Sequence, residues 1–196
     1  MEISKDILRF WHLMEIPMLI HRSSKLSSGR EYSDAEHSWR LAMLVIFLGP
    51  KLGSKINIER ALRIALIHDL GEMGGGDVPF YIHAFDANAK ADKDKQEEET
   101  MQALKSEFSE FGEELFLIWK EYEDQSTIEA RFVKALDKLD GRIGIIDDKE
   151  TQNFSEERRK KATILSKKVD EFCEIDPLLK EIAALSLRER QDKWGF

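Results

Sequence analysis

Ile64-Ala65-Leu66-Ile67-His68-Asp69-Leu70-Gly71-Glu72 is the stretch on which the reading of this sequence turns. From Ile58 to Leu70 the chain is apolar on nearly every side of a helix, the pattern of a segment enclosed by its own fold. It ends in His68, Asp69 and Glu72. A carboxylate buried without a partner costs several kcal/mol, so these groups must be compensated by something in the interior. On a helix His68 and Glu72 are four apart and Asp69 and Glu72 three apart, so they share a side. Adjacent His68 and Asp69 diverge by about 100°, and both still reach one ion lodged beside the helix. One segment thus offers an imidazole, a carboxylate ligand and a second carboxylate for proton work.

The rest of the chain repeats the helical period. Ile3, Ile7, Phe10 and Met14 recur at helical intervals, as do Leu41, Leu44, Val45 and Leu48. Phe132, Leu136, Leu139 and Ile143 mark a further helix, and Ile164, Val169 and Phe172 another. Pro17, Pro50, Pro79 and Pro177 are the only prolines, and Phe80 to Asp176 has none, which favours long helices. No run alternates apolar and polar residues and no repeat period is found, so the expected fold class is all-α. Ser33-Asp34-Ala35-Glu36 reads as a capping box that opens a helix with His37 in its first turn. Gly49-Pro50 ends that helix, and Gly74-Gly75-Gly76 ends the apolar one. Asp86 to Glu99 reads as a solvated loop leading into the next helix, and the residues after Leu187 as a segment that docks at the surface or frays. Residues 1–196 are expected to form one domain, with a core over about 7–146 and C-terminal helices over 155–190 packed on it.

Composition narrows the function classes. The 196 residues carry 30 Lys and Arg against 38 Asp and Glu, a formal charge of −8 and a sequence pI near 5.3. That balance argues against a general binder of duplex nucleic acid or of anionic membrane. The single cysteine, Cys173, cannot form an intrachain disulfide and suits a reducing compartment. Apolar runs are far shorter than the roughly 20 residues that span a bilayer. Glu2, Asp6 and Glu15 interrupt the N-terminal apolar residues, unlike a signal peptide. The expected setting is the cytoplasm.

Two further helices carry misplaced polar residues. His37 extends the Leu41, Leu44 and Leu48 stripe toward its helix start, and Asp137 lies four after Val133 on a partly apolar face. Alone, each is ordinary: such histidines are more often hydrogen-bonded residues than ligands, and Asp137 or Asp140 would usually be solvated. Together, His37, the doublet His68-Asp69 and Asp137 stand in the order H…HD…D. In this the sequence resembles the HD-domain metal-dependent phosphohydrolases. The flanks Ala35-Glu36-His37-Ser38 and His68-Asp69-x-x-Glu72-x-x-x-Gly76-Asp77-x-Pro79 are similar to the bacterial 5′-deoxynucleotidase and eukaryotic HD-domain branch. Ile20-His21-Arg22 sits where that branch has an arginine that meets the substrate phosphate. The bacterial pattern follows that arginine with a tryptophan associated with reading the sugar; here Ser23 follows, so preference for deoxyribose does not carry over. The resemblance covers roughly Ile7 to Ile146.

The resemblance implies a helical bundle with one divalent metal between core helices, held by His37, His68, Asp69 and Asp137. Two imidazoles and two carboxylates suit Mn²⁺, Co²⁺, Fe²⁺ or Zn²⁺, and Mg²⁺ less readily. It further implies that Glu72 orients or deprotonates water, that Asp77 assists or protonates the leaving 5′ oxygen, and that Arg22 clamps the phosphate. The implied activity is hydrolysis of nucleoside or deoxynucleoside 5′-monophosphates, with a tendency to form homodimers. Other HD phosphohydrolases, acting on guanosine tetraphosphate, cyclic nucleotides or nucleoside triphosphates, are alternatives, as is a non-catalytic nucleotide-binding module. Met73 after Glu72 departs from the Glu-Asp that tetraphosphate hydrolases show.

Other residues rank lower. Lys90, Lys93 and Lys95 read as solvated surface, and Trp11, Trp39, Trp119 and Tyr81 as core packing rather than base-stacking platforms. His12, His21 and His83 lack the tandem motif of a dinuclear centre, so one metal is expected. Gly74 to Gly76 has neither the Gly-Lys-Ser/Thr nor the preceding strand of a phosphate loop, and reads as the exit that presents Asp77. Asp140 is a candidate for orienting a ligand.

Overall fold

Ser33 opens the helix that carries the first histidine. Its side chain accepts from the Glu36 backbone N–H while its own N–H donates to Glu36 Oε2 at 2.9 Å, the reciprocal pairing expected of a capping box. The structure, a computed structural model, describes residues 2–53, 55–77, 82 and 84–196. Pro79, Tyr81 and His83, named above, lie outside the described residues.

In chain order the elements are α1 (Glu2–Leu13), α2 (Ile16–Leu19), β1 (His21–Lys25), β2 (Glu31–Ser33), α3 (Asp34–Leu48) and α4 (Ile58–Ile67). These are followed by α5 (Ala87–Glu107), α6 (Ser109–Asp124), α7 (Ile128–Asp147), α8 (Glu156–Cys173) and α9 (Pro177–Trp194). The all-α reading holds, with one addition. β1 and β2 pair antiparallel, His21 opposite Ser33 and Lys25 opposite Glu31. This short ribbon of polar residues is too brief to show alternation.

Helix α7 is the hub. It packs on α3, α4, α6, α8, α9 and β1. Phe132, Val133 and Leu136 meet Leu41 and Val45 of α3 and Ile64 and Ala65 of α4 in one buried cluster. Each large side chain there contributes roughly 1.5–3 kcal/mol on burial. A second cluster joins Met101 and Leu104 of α5 to Leu115 and Trp119 of α6 and to Leu70.

Three sequence readings are corrected. The apolar helix stops at Ile67 and does not run on to Gly74-Gly75-Gly76; His68 is its C-cap, Asp69 takes φ −99°, and Leu70–Gly74 tightens into a 3₁₀ turn. Glycine is a weak helix former, and Gly71 lets α5 press in so closely that a Cβ there would lie 2.9 Å from that of Glu97. Gly76, at φ +81°, then turns the chain toward Asp77. Second, Asp86 to Glu99 is no loop. Asp86 caps α5 by accepting from the N–H groups of Asn88 and Ala89 at 2.9 and 3.1 Å. Ion pairs at i,i+4 between Lys90 and Asp94, Lys93 and Glu97, and Lys95 and Glu99 then support a helix without an apolar stripe at its start. Third, of the two readings for the residues after Leu187, docking holds and fraying does not. α9 runs to Trp194, and the buried Arg190 side chain donates to the Phe196 and Ala162 carbonyls at 2.9 and 3.2 Å.

Of the tryptophans read as core, Trp119 is buried, whereas Trp11 and Trp39 are 75% and 64% exposed. They stand on α1 and α3 among other outward apolar residues, Ile7 and Leu8 on the first and Met43, Ile46 and Phe47 on the second. Among the described residues no helix is long and apolar enough to cross a membrane. Cys173 is fully buried, and burial pushes its thiol up to about 12. Below that pH the thiol stays protonated, so native protein at pH 8 is expected to resist a thiol reagent that labels it completely in urea; rapid native labelling would contradict this packing.

Candidate metal centre and active site

The end of α4, the first turn of α3 and the middle of α7 bring His37, His68, Asp69 and Asp137 together. One ligand atom from each of His37, His68 and Asp69 lies within 4.8 Å of the others. Asp137 joins through its Oδ1, 3.4 Å from His37 Nε2. Both imidazoles are fixed from behind. His37 Nδ1 is 2.8 Å from Asp140 Oδ2, itself held by Arg40, and His68 Nδ1 donates to the Ala65 carbonyl at 3.0 Å. Their Nε2 atoms are buried, turn toward the carboxylates and have no hydrogen-bond partner. An orphaned ring nitrogen in the interior is costly unless it ligates something, and the backing hydrogen bonds set the orientation that ligation needs.

Arg22, on β1, lies among the carboxylates. Its guanidinium donates to Asp69 Oδ2 at 2.9 Å and Asp34 Oδ1 at 3.3 Å, and stands 3.9 Å from Glu72 and 3.8 Å from Asp77. Glu72 Oε1 is 3.2 Å from Lys93, while its Oε2 is buried and makes no hydrogen bond, facing Arg22 at 3.9 Å. Asp137 Oδ2 accepts from the Tyr122 hydroxyl at 2.8 Å and pairs with Lys138 at 2.8 Å.

Acidic side chains crowd the site. Asp34, Asp69, Glu72, Asp77 and Asp137 gather around Arg22, Lys93 and Lys138, more carboxyl groups than Lys and Arg side chains to meet them. Lys93 is also shared with Glu97, which adds to the excess. The carboxyl groups respond. Burial and the neighbouring Asp69 raise Asp34 to about 6 and hold Glu72 well above its ordinary range, and burial also raises Asp77 despite Arg22 beside it. Asp69 and Asp137 resist burial and are held below the usual range, Asp69 chiefly by His68 and Arg22, Asp137 by Lys138 and His37. Burial and Arg22 pull His37 down, but Asp137 and Asp140 outweigh them and raise it to about 9. A metal ion would take the place of the proton these carboxylates favour on His37, and imidazole nitrogens beside ionised carboxylates are the donors a borderline transition metal takes.

All seven residues singled out in the sequence therefore lie in or against one cluster. Two more belong to it. Asp34, beside His37 in the capping box, forms with Asp69 and Glu72 a second set of ligand atoms within 4.8 Å of one another. Its place one residue after Ser33 marked it as part of a helix cap and nothing more. Lys93, read as solvated surface, is instead mostly buried against Glu72, a correction that follows from α5 packing over the 3₁₀ turn. His12 and His21 bring no second group of metal-ligating residues into being among the described residues.

Comparisons with known proteins place this geometry. Residues 19–176 match the HD domain family, and the chain belongs to that family. It is 35% identical over 112 residues to the human 5′-deoxynucleotidase HDDC2, covering 57% of this chain and 52% of that protein. It is 32% identical over 143 residues to the Dictyostelium discoideum 5′-deoxynucleotidase HDDC2, covering 69% of this chain and 73% of the other. The crystal structure of a predicted metal-dependent phosphohydrolase from Magnetospirillum magnetotacticum superposes with a TM-score of 0.77 at 25% identity, covering 97% of this chain and 92% of that one. The chain spans about half the length of the vertebrate relatives it matches. Family and cluster together mark the site as one for a divalent metal ion.

Proposed function

We propose that this protein is a metal-dependent phosphomonoesterase that hydrolyses nucleoside or deoxynucleoside 5′-monophosphates to nucleoside and phosphate. The observation that carries the reading is the pair of buried, unpartnered histidine Nε2 atoms facing Asp69 and Asp137, with Arg22 and a second carboxylate pair alongside. The names of the relatives support the substrate class.

In this reading His37, His68, Asp69 and Asp137 hold one ion, of manganese, cobalt, iron or zinc in preference to magnesium. When bound, it supplies Lewis-acid polarisation of a phosphoryl oxygen and activation of water. The chain supplies the rest. Arg22, braced by Asp69 and Asp34, presents a planar fork to two phosphate oxygens, a geometry lysine cannot copy. Glu72, as its carboxylate, accepts the proton of the attacking water at Oε2, which is buried and makes no hydrogen bond. Asp77, raised by burial, delivers a proton to the leaving 5′ oxygen. Asp140 and the Ala65 carbonyl keep the imidazoles aimed.

Phosphate release from a panel of ribo- and deoxynucleoside 5′-monophosphates is expected, stopped by a chelator and restored by Mn²⁺ or Co²⁺. A metal-loaded protein that leaves the whole panel intact would refute the assignment.

The reading extends to setting and assembly: residues 1–196 as one domain, a cytoplasmic location and a homodimer. The lone buried thiol suits a reducing compartment. The exposed apolar faces of α1 and α3 support self-association, since monomers rarely leave patches of this kind uncovered. Light scattering is expected to give about twice the chain mass of 22.8 kDa. Replacing Met43 and Phe47 together by glutamate should return a monomer; an unmodified chain that already runs as a monomer would dispose of the dimer.

A further inference from the structure

A chamber of about 130 Å³ adjoins the metal centre and shares Arg22, Asp77 and Asp137 with it, although neither histidine lines it. That volume is roughly ten times what one water requires. Ser23 and Ser24 of β1 form one wall, Gly141 and Ile145 of α7 a second, and Leu165 and Val169 of α8 a third. Its apolar side chains are interleaved with many polar and charged ones, Arg142, Asp148 and Arg190 among them, a lining suited to a small polar molecule. One of those polar groups is Arg142, whose buried Nε has no hydrogen-bond partner although its two terminal nitrogens are fully engaged by Ala183, Ser166, Ser186 and Asp170.

Gly141 is the anomaly in this wall. It stands inside the 20-residue helix α7, outside the positive-φ region, where glycine only weakens the helix. A glycine in a packed helix ordinarily makes room for a neighbour, as Gly144 does: a Cβ there would lie 2.7 Å from Ser24 Oγ. Gly141 is exposed, at the mouth of the chamber, and a Cβ there would meet nothing within 4 Å. No part of the described chain uses the space that the missing side chain leaves. Gly141 lies one helical turn beyond Asp137, on the same face of α7, so the space adjoins the reaction centre.

We propose that this chamber seats the nucleoside part of the substrate and that Gly141 is the specificity-determining position that keeps it open. The inference rests on the nucleotidase reading above. With the phosphate at Arg22, the sugar crosses the bare helix face at Gly141, and the base lies between Ile145 and Val169 with an acceptor atom on its edge within reach of Arg142 Nε.

The test uses the full-length, metal-loaded chain with Gly141→Leu and Gly141→Ala. Both residues favour the helix over glycine, so the melting temperature should hold or rise. For Gly141→Leu, KM for nucleoside 5′-monophosphates is expected to rise about 20-fold or more, with Gly141→Ala intermediate. Inhibition by inorganic phosphate, which needs only Arg22 and the metal centre, should stay within about 2-fold of the parent. Nucleotide KM unchanged in both variants overturns the seat and leaves the nucleotidase reading standing. An equal loss of nucleotide and phosphate binding also overturns it, because the damage would then lie at the centre. A parent protein inactive on every nucleotide removes the reading itself, and the seat with it.

Discussion

Glu72→Ala is expected to lower kcat by about 10³-fold while bound metal per chain stays at the parental level. In the proposed mechanism Glu72 takes the proton of the attacking water. Its Oε2 is buried beside Arg22 and free of hydrogen bonds, while Lys93 holds Oε1. Burial and the Asp69 charge raise its pKa, so the carboxyl is a better base than one in water. Glu72→Gln should be nearly as damaging, because the amide preserves shape and loses the proton-accepting oxygen. Turnover equal to the parent would remove Glu72 from the chemistry. Metal lost in step with activity would instead make it a ligand, in the company of Asp34 and Asp69.

Asp69→Asn is expected to abolish metal retention, from about one ion per chain to a small fraction, and activity with it. Asp69 Oδ2 lies 3.1 Å from His68 Nε2, 3.7 Å from His37 Nε2 and 2.9 Å from the Arg22 guanidinium. No other carboxylate of the centre approaches both imidazoles in this way. A neutral amide of the same shape ligates poorly and leaves Arg22 and both histidines without their shared counter-charge. Metal analysis after dialysis reads the result directly, and full occupancy in the variant would show that the centre is assembled differently.

Much of this site was legible because its members announce themselves locally. His68, Asp69 and Glu72 contradict the apolar segment that leads to them, and Ser33 with Glu36 states where the helix bearing His37 must begin. Asp34 and Lys93 were opaque for the opposite reason. Each has an ordinary local duty, one in a helix cap and the other in an i,i+4 pair with Glu97, and acquires its second role from groups far along the chain. The start of α5 was misread because its stability comes from Asp86, alanines and ion pairs, which leave no apolar period. Trp11 and Trp39 follow the helical period faithfully, yet period says which face is apolar and not whether this chain itself covers that face.

The centre is also a junction of distant segments. His37 and Asp137, both proposed ligands, face each other across 100 residues of sequence (137 − 37 = 100). An ion held there closes long loops in the manner of a cross-link, and the entropy of those loops must be regained before the chain can open. Loading should therefore slow amide exchange along α3, α4 and α7 together, and the protein's lifetime in the cell would then follow the local supply of the metal as much as the composition of its core.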